Sequence, residues 1–275
     1  MATIKRIACF FTGGYTELNA MKVFIKKINP NNEYIQLCPM GNRKSSKAIK
    51  SRDLTSIDNN INGLTGSKLI EHVQNFIKTH RFKEEQYDAI LIEDDKDDRF
   101  LKIMQDGSSN IDVDAWEAFK KDLIEKIHAE LDVHIPVILL IAAPEVEAWF
   151  ISDWKNSFAN IIYIDGITVN QNKFFITLFH KFVKNKILTH LYIKNIESYG
   201  YFTGKYVKLS EKIQDALHNL EFLPDNHQSQ KIDKKVINYS KRKQGATMLF
   251  QINPDIVLHS CNYFFKECYS MLKNL

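Results

Sequence analysis

The chain has few cysteines and no motif that would put them to use. Its four, Cys9, Cys38, Cys261 and Cys268, show no CxxC spacing and no paired histidines, which argues against a zinc site. Cys9 and Cys38 lie in apolar, strand-like runs, where a free thiol serves as a small hydrophobe. The nine histidines are scattered, HExxH is missing and no Ser-His-Asp arrangement is recognisable. Covalent hydrolase chemistry therefore has no support. Neither GxxxxGK[ST] nor GxGxxG occurs. The longest apolar run, Ile135 to Pro144, has the length of a strand, well short of the roughly 18 residues that a membrane span needs. MATIKRIACFF lacks the long apolar core and small-residue cleavage site of a signal peptide. The expectation is a cytoplasmic protein with no membrane partner.

What is present is ordinary in bulk and informative in its order. The 275 residues suffice for a full core, and 44% apolar with 25% charged residues is a globular composition. The net charge of +4 is mild, so its distribution matters more than its size. Ile4 to Phe11 reads as a strand. Glu17 to Ile28 carries Leu18, Met21, Phe24, Ile25 and Ile28 on one side, as an amphipathic helix would, and Asn29-Pro30 stops it. Tyr34 to Cys38 is a second short strand, and GNRKSSKAIKSRD after it reads as a loop or arm. Helical spacing returns over Ser67 to Thr79. YDAILI, ending at Ile92, reads as a third strand broken by EDDKDD, and Val113 to Leu131 as a helix. IPVILLIA, Ile135 to Ala142, is so continuously apolar that it predicts a central strand covered on both faces. Strands alternating with helices predict an α/β fold, a parallel sheet wound with helices on both faces, over residues 1–154. From about residue 155 to 275 the spacing predicts a mainly helical part packed on it, with helices over Asn172 to Leu188, Lys208 to Leu220 and Pro254 to Leu272.

In open α/β sheets ligands bind beyond the carboxyl ends of the strands. Three unusual stretches fall at such ends: FTGGYTE after the first strand, EDDKDD after the third and APEVEAW after the fourth. EDDKDD crowds five carboxylates into six positions, and alternation along extended chain sends Glu93, Asp95 and Asp97 the same way. Carboxylates that close repel unless a cation sits among them, and oxygen-only ligands suit Mg²⁺ or Mn²⁺. A solvated acidic loop is the plainer use of such a run. Glu145 is accounted for by a helix starting at Pro144, because the dipole favours acids in a first turn. Glu147, beside Trp149 and Phe150, is less easily accounted for and is a candidate functional acid. Basic residues gather at Arg43, Lys44, Lys47, Lys50 and Arg52, and again at Lys231, Lys234, Lys235, Lys241, Arg242 and Lys243. A solvated face explains either group alone. An acidic pocket flanked by basic segments is also what an enzyme on phosphodiesters needs, with Arg43, Lys44, Lys241 and Arg242 as nucleic-acid contacts. Tyr199, Tyr201 and Phe202 suit core packing, with base stacking as the alternative.

Taken in this order, the three stretches resemble the TOPRIM superfamily, which includes topoisomerase and primase catalytic domains and the nuclease domains of OLD-type defence proteins. The closer resemblance is to a stand-alone TOPRIM-like family of bacteria with EGxTE, a D-x-D turn, ExEAW and a C-terminal Y-x-K. The matching residues are Gly14, Thr16 and Glu17; Glu93, Asp95 and Asp97; Glu145, Glu147, Ala148 and Trp149; and Tyr239 with Lys241. Gly13 stands where the family has its first glutamate, and Glu93 where it has the first aspartate of D-x-D. The resemblance implies a TOPRIM-like fold and a Mg²⁺-dependent (or Mn²⁺-dependent) nuclease of phage or mobile-element defence. It implies metal ligands at Glu93, Asp95 and Asp97, and Glu17 or Glu147 in the catalytic place left by Gly13. The rival it implies is a catalytically degenerate TOPRIM-fold module that binds or regulates a partner ATPase.

Overall fold

The computed structural model describes residues 3–12, 16–38, 64–161, 163–164, 169–189, 195–219 and 237–275. Arg43, Lys44 and Gly13 lie outside these described residues.

Four parallel strands form the central sheet: β1 (Arg6–Phe10), β2 (Glu33–Cys38), β3 (Ala89–Asp95) and, after a small antiparallel hairpin of β4 (Leu101–Ile103) and β5 (Ser109–Ile111), β6 (Val137–Ala142). Their spatial order is β2-β1-β3-β6. Strand order reverses between β1 and β3, because the chain first steps outward from β1 to β2 and then returns to the other side of β1. In open α/β sheets such a reversal is where ligands bind, here at the carboxyl ends of β1 and β3.

Side chains alternate across the sheet and split the interior into two layers. Ile7, Cys9, Leu91, Ile138 and Leu140 share one layer with Met21, Phe24 and Ile25 of α1 (Glu17–Lys26). Ala8, Phe10, Ile90, Ile92 and Leu139 share the other with Leu69 and Val73 of α2 (Gly66–Ile77) and, beyond the short α3 (His80–Glu84), with Trp116 and Leu123 of α4 (Val113–His128). Helices thus cover both faces, as the alternating pattern predicts.

The C-terminal part completes the first layer. Following α5 (Glu147–Ser152), which ends the first part, it comprises α6 (Phe158–Ile161), α7 (Val169–Lys184), α8 (Leu209–Asn219), α9 (Lys241–Gln251), α10 (Pro254–Ser260) and α11 (Phe264–Asn274). Short antiparallel pairs join β7 (Tyr163–Ile164) to β10 (Ile237–Asn238), and β8 (Tyr201–Phe202) to β9 (Lys205–Tyr206). Trp149 stacks on Phe24 with centroids 5.1 Å apart, fixing α5 against α1. Tyr199 is fully buried and meets Phe202 edge-on, so it packs in the core.

Four elements differ from the sequence reading. β3 does not stop at Ile92. It runs on through Glu93, Asp94 and Asp95, which pair with Leu140, Ile141 and Ala142 of β6. The expected helix over Pro254 to Leu272 is two helices, because the Glu197 carboxylate accepts hydrogen bonds from the Tyr263 and Phe265 amides (2.7 and 3.1 Å) and caps a new start at α11. The helix expected from Pro144 begins at Glu147. Lys241–Gln251, read as a basic stretch, is helical and buries Gly245, Met248 and Leu249. Among the described residues no helix is long and apolar enough to cross a membrane.

Candidate carboxylate site

Strand alternation decides which acids of EDDKDD meet. Glu93 and Asp95 point to the layer that holds α1 and α5, and Asp94 points the other way. There Asp94 accepts from the Gly66 amide (3.1 Å) and pairs with Arg99 at 2.5 Å. Asp97 leaves the row: its φ of 50° puts it in the left-handed region, which aspartate tolerates better than most residues. Lys96, fully buried, braces this turn by donating from Nζ to the carbonyls of Asp97 and Arg99, both at 3.2 Å. Burial, reinforced by the Arg99 charge, pulls its ammonium down to about 7. Asp97 ends at the rim, 3.4 Å from Lys208.

The deeper acids come from three strand ends. Thr12, just past β1, donates from its amide and hydroxyl to Glu93 Oε2 (3.0 and 3.2 Å). Glu17 opens α1 and is buried; Glu147 opens α5 and is fully buried. Glu147 Oε1 accepts from the Tyr239 hydroxyl at 2.9 Å. Lys241 Nζ lies 3.5 Å from both Asp95 Oδ2 and Glu147 Oε2. Glu145 accepts from the Ser210 amide and hydroxyl (2.8 and 3.3 Å), which anchors the start of α8. Its structural role is therefore to cap a distant helix, in place of the first-turn role read from the sequence.

Lys241 reaches this place because α9 presses on α1. Gly245 sits against Thr16, and an added Cβ there would stand 2.3 Å from Thr16 Oγ1. The Thr16 hydroxyl also donates to the Lys241 carbonyl at 3.4 Å. One turn before that contact on α9 comes Lys241; one residue after it on α1 comes Glu17.

The electrostatics are unbalanced. Burial, with the charges of Glu17 and then Asp95, raises the Glu93 carboxyl well above the usual range. Burial and the Glu17 charge do the same for Asp95, against the opposing pull of Lys241. Glu17 and Glu145 are raised too, chiefly by burial. Burial disfavours the Lys241 ammonium, but Asp95, Glu147, Glu17 and Glu145 outweigh it and hold the group well above the usual lysine range. Among the described residues four carboxylate oxygens are buried without a hydrogen bond: Glu17 Oε1, Glu93 Oε1, Asp95 Oδ1 and Glu147 Oε2. Buried carboxylates in such numbers must either hold protons or gain a cation.

The donor chemistry fits a hard divalent ion, being all oxygen with four atoms that accept no hydrogen bond among the described residues. The arrangement is not a closed cage: among the described residues no three Asp, Glu, His or Cys side chains are disposed to hold a metal ion as the molecule stands. Lys241 bridges two of the acids. Of the residues the sequence singled out, Glu17, Glu93, Asp95, Glu147 and Lys241 come together. Asp97 stays at the rim, and Arg242, next on α9, is exposed. Sequence reasoning missed Thr12, Lys208 and Ser210. A hydroxyl at a strand exit was a usable signal for Thr12, whereas nothing local marks Lys208 or Ser210. No family model, no curated protein and no solved structure matches the chain.

Proposed function

We propose that the protein is a Mg²⁺- or Mn²⁺-dependent nuclease of the TOPRIM type that cleaves phosphodiesters in phage or mobile-element defence. The carrying observation is the set of four buried carboxylate oxygens, from Glu17, Glu93, Asp95 and Glu147, that among the described residues accept no hydrogen bond at the switch point of a parallel sheet. Asp95 and Glu93 would hold the ion, with Glu17 and Glu147 completing the set; Asp97 serves the rim. A bound ion supplies charge neutralisation and polarises a phosphate oxygen. Glu17, four residues after Gly13 in the sequence, supplies the acid that the resemblance leaves without a place. Lys241 orients Asp95 and Glu147 and brings a fixed positive charge to the pocket, and the exposed Arg242 lies beside it for backbone contact. Asp95→Ala is expected to abolish Mg²⁺-dependent cleavage of DNA and RNA oligonucleotides while far-ultraviolet circular dichroism stays unchanged. Cleavage that survives the substitution refutes this assignment.

A second reading, a non-catalytic module that binds or regulates an ATPase, draws support from Lys241 itself, because an ammonium already bridges Asp95 and Glu147. Calorimetric titration with Mn²⁺ separates the two. Saturable binding that Asp95→Ala removes favours the nuclease, and its absence favours the module.

A further inference from the structure

The mouth of the carboxylate cluster carries two donors, one loosely ion-paired and one without a partner among the described residues. Lys208 is exposed, with 47% of its side chain accessible, and sits loosely at 3.4 Å from Asp97 and 3.8 Å from Glu145. Glu145 does not depend on it, since Ser210 already donates twice to that carboxylate. An exposed ion pair of this kind contributes little, so Lys208 can exchange Asp97 for another anion at small cost. Two residues earlier, at the end of β9, the Tyr206 hydroxyl is buried and has no hydrogen-bond partner among the described residues. An unpaired buried donor is unfavourable and is relieved when an acceptor arrives. Burial raises the Tyr206 hydroxyl above its usual range, and the charges of Asp97, Glu145, Asp98 and Asp95 raise it further. It therefore stays a proton donor, and these same charges place it in the field of the cluster's mouth.

We propose that Lys208 and the Tyr206 hydroxyl form an anion subsite for a backbone phosphate of the nucleic acid, adjacent to the phosphate at the carboxylate cluster. The subsite rests on the nuclease reading. It is made by the C-terminal part, whereas Glu17, Glu93, Asp95, Glu145 and Glu147 all come from the first 154 residues. Lysine supplies charge without directional demand and tyrosine supplies a directed hydrogen bond to one oxygen, so the two losses differ in their salt dependence.

The test uses the full chain with short fluorescent DNA and RNA oligonucleotides, single-stranded and duplex. Affinity is measured by anisotropy against salt in Ca²⁺, and turnover in Mn²⁺. Lys208→Gln and Tyr206→Phe are each expected to weaken Kd and raise KM about tenfold, with the loss in KM exceeding that in kcat. Lys208→Gln is expected to reduce the salt slope of log Kd by about one, and Tyr206→Phe to leave it unchanged. Mn²⁺ affinity and urea midpoints close to wild type in both variants confirm that the cluster and the fold are intact. A wild type that binds and cleaves, with both variants equal to it, overturns the subsite and spares the nuclease reading. An effect of Lys208→Gln alone also overturns it, reducing the feature to a surface lysine. A wild type that neither binds nor cleaves any of these oligonucleotides overturns both.

Discussion

Gly245→Ala tests how Lys241 is delivered to the acids. In an open helix this change stabilises by about 0.8–1 kcal/mol, because alanine has the higher helix propensity. Here the new methyl would stand 2.3 Å from Thr16 Oγ1, 2.9 Å from Cγ2 and 3.1 Å from Cβ. Thr16 is buried, so its side chain has little room to yield, and α9 must back away from α1 until those separations reach ordinary contact. Overpacking of this kind costs about 1–3 kcal/mol, so the net expectation is a destabilisation of about 1 kcal/mol. Thr16→Ala removes the two closest atoms and by itself loses one weak hydrogen bond and a methyl, about 1 kcal/mol. The double variant should be more stable than the sum of the two losses by about 1–2 kcal/mol, since the methyl then fits. Urea denaturation of the four proteins measures this directly. Gly245→Ala that gains the full helix-propensity term, or a double variant that is simply additive, refutes the close contact. It would also refute the account of how Lys241 comes to lie 3.5 Å from Asp95 and Glu147.

Two further outcomes follow from the charge imbalance. Because the folded-state carboxyl of Glu93 is raised, its protonated form is favoured by folding; stability is full below the unfolded value near about pH 4 and falls as pH rises toward the folded value. Glu93→Gln should therefore match wild type near pH 4 and exceed it at pH 8 by at least about 1 kcal/mol without added metal. Equal urea stabilities at pH 8 would refute this. Lys241→Gln removes the ammonium that bridges Asp95 and Glu147; with 30% of that side chain exposed, the cost is expected near the low end of the buried-pair range, about 2–3 kcal/mol at pH 7. The same variant should bind Mn²⁺ at least about tenfold more tightly, and calorimetry showing weaker binding would mean that Lys241 cooperates with the ion instead of competing with it.

The sheet was legible because each of its strands is a compact apolar run and each covering helix has one apolar side. Those are local periodicities that burial on two faces imposes on the chain. Glu93 and Asp95 were legible as a pair for the same reason, since alternation needs no knowledge of the rest of the fold. What the local pattern misjudged was the length of β3. Acidic residues read as the end of a strand, yet backbone pairing with β6 carries the strand through Asp95, and the side chains have the cluster to enter. Asp97 was misplaced because a left-handed residue ends the alternation, and nothing in EDDKDD announces it.

Residues distant along the chain met only through tertiary packing. Glu17, Glu147 and Lys241 stand on the first turns of three helices, which the stacking of Trp149 on Phe24 and the close approach of Gly245 to Thr16 hold together. The sequence by itself determined the parallel sheet, its two apolar layers and the shared direction of Glu93 and Asp95, because these depend on periods of two and of 3.6 residues. The tertiary structure alone decided that Lys241 faces inward to four carboxylates, that Glu145 caps α8 and that Lys208 guards the rim. The physical reason is that an ion pair or a hydrogen bond depends on distance in space, which a run of charged letters does not encode.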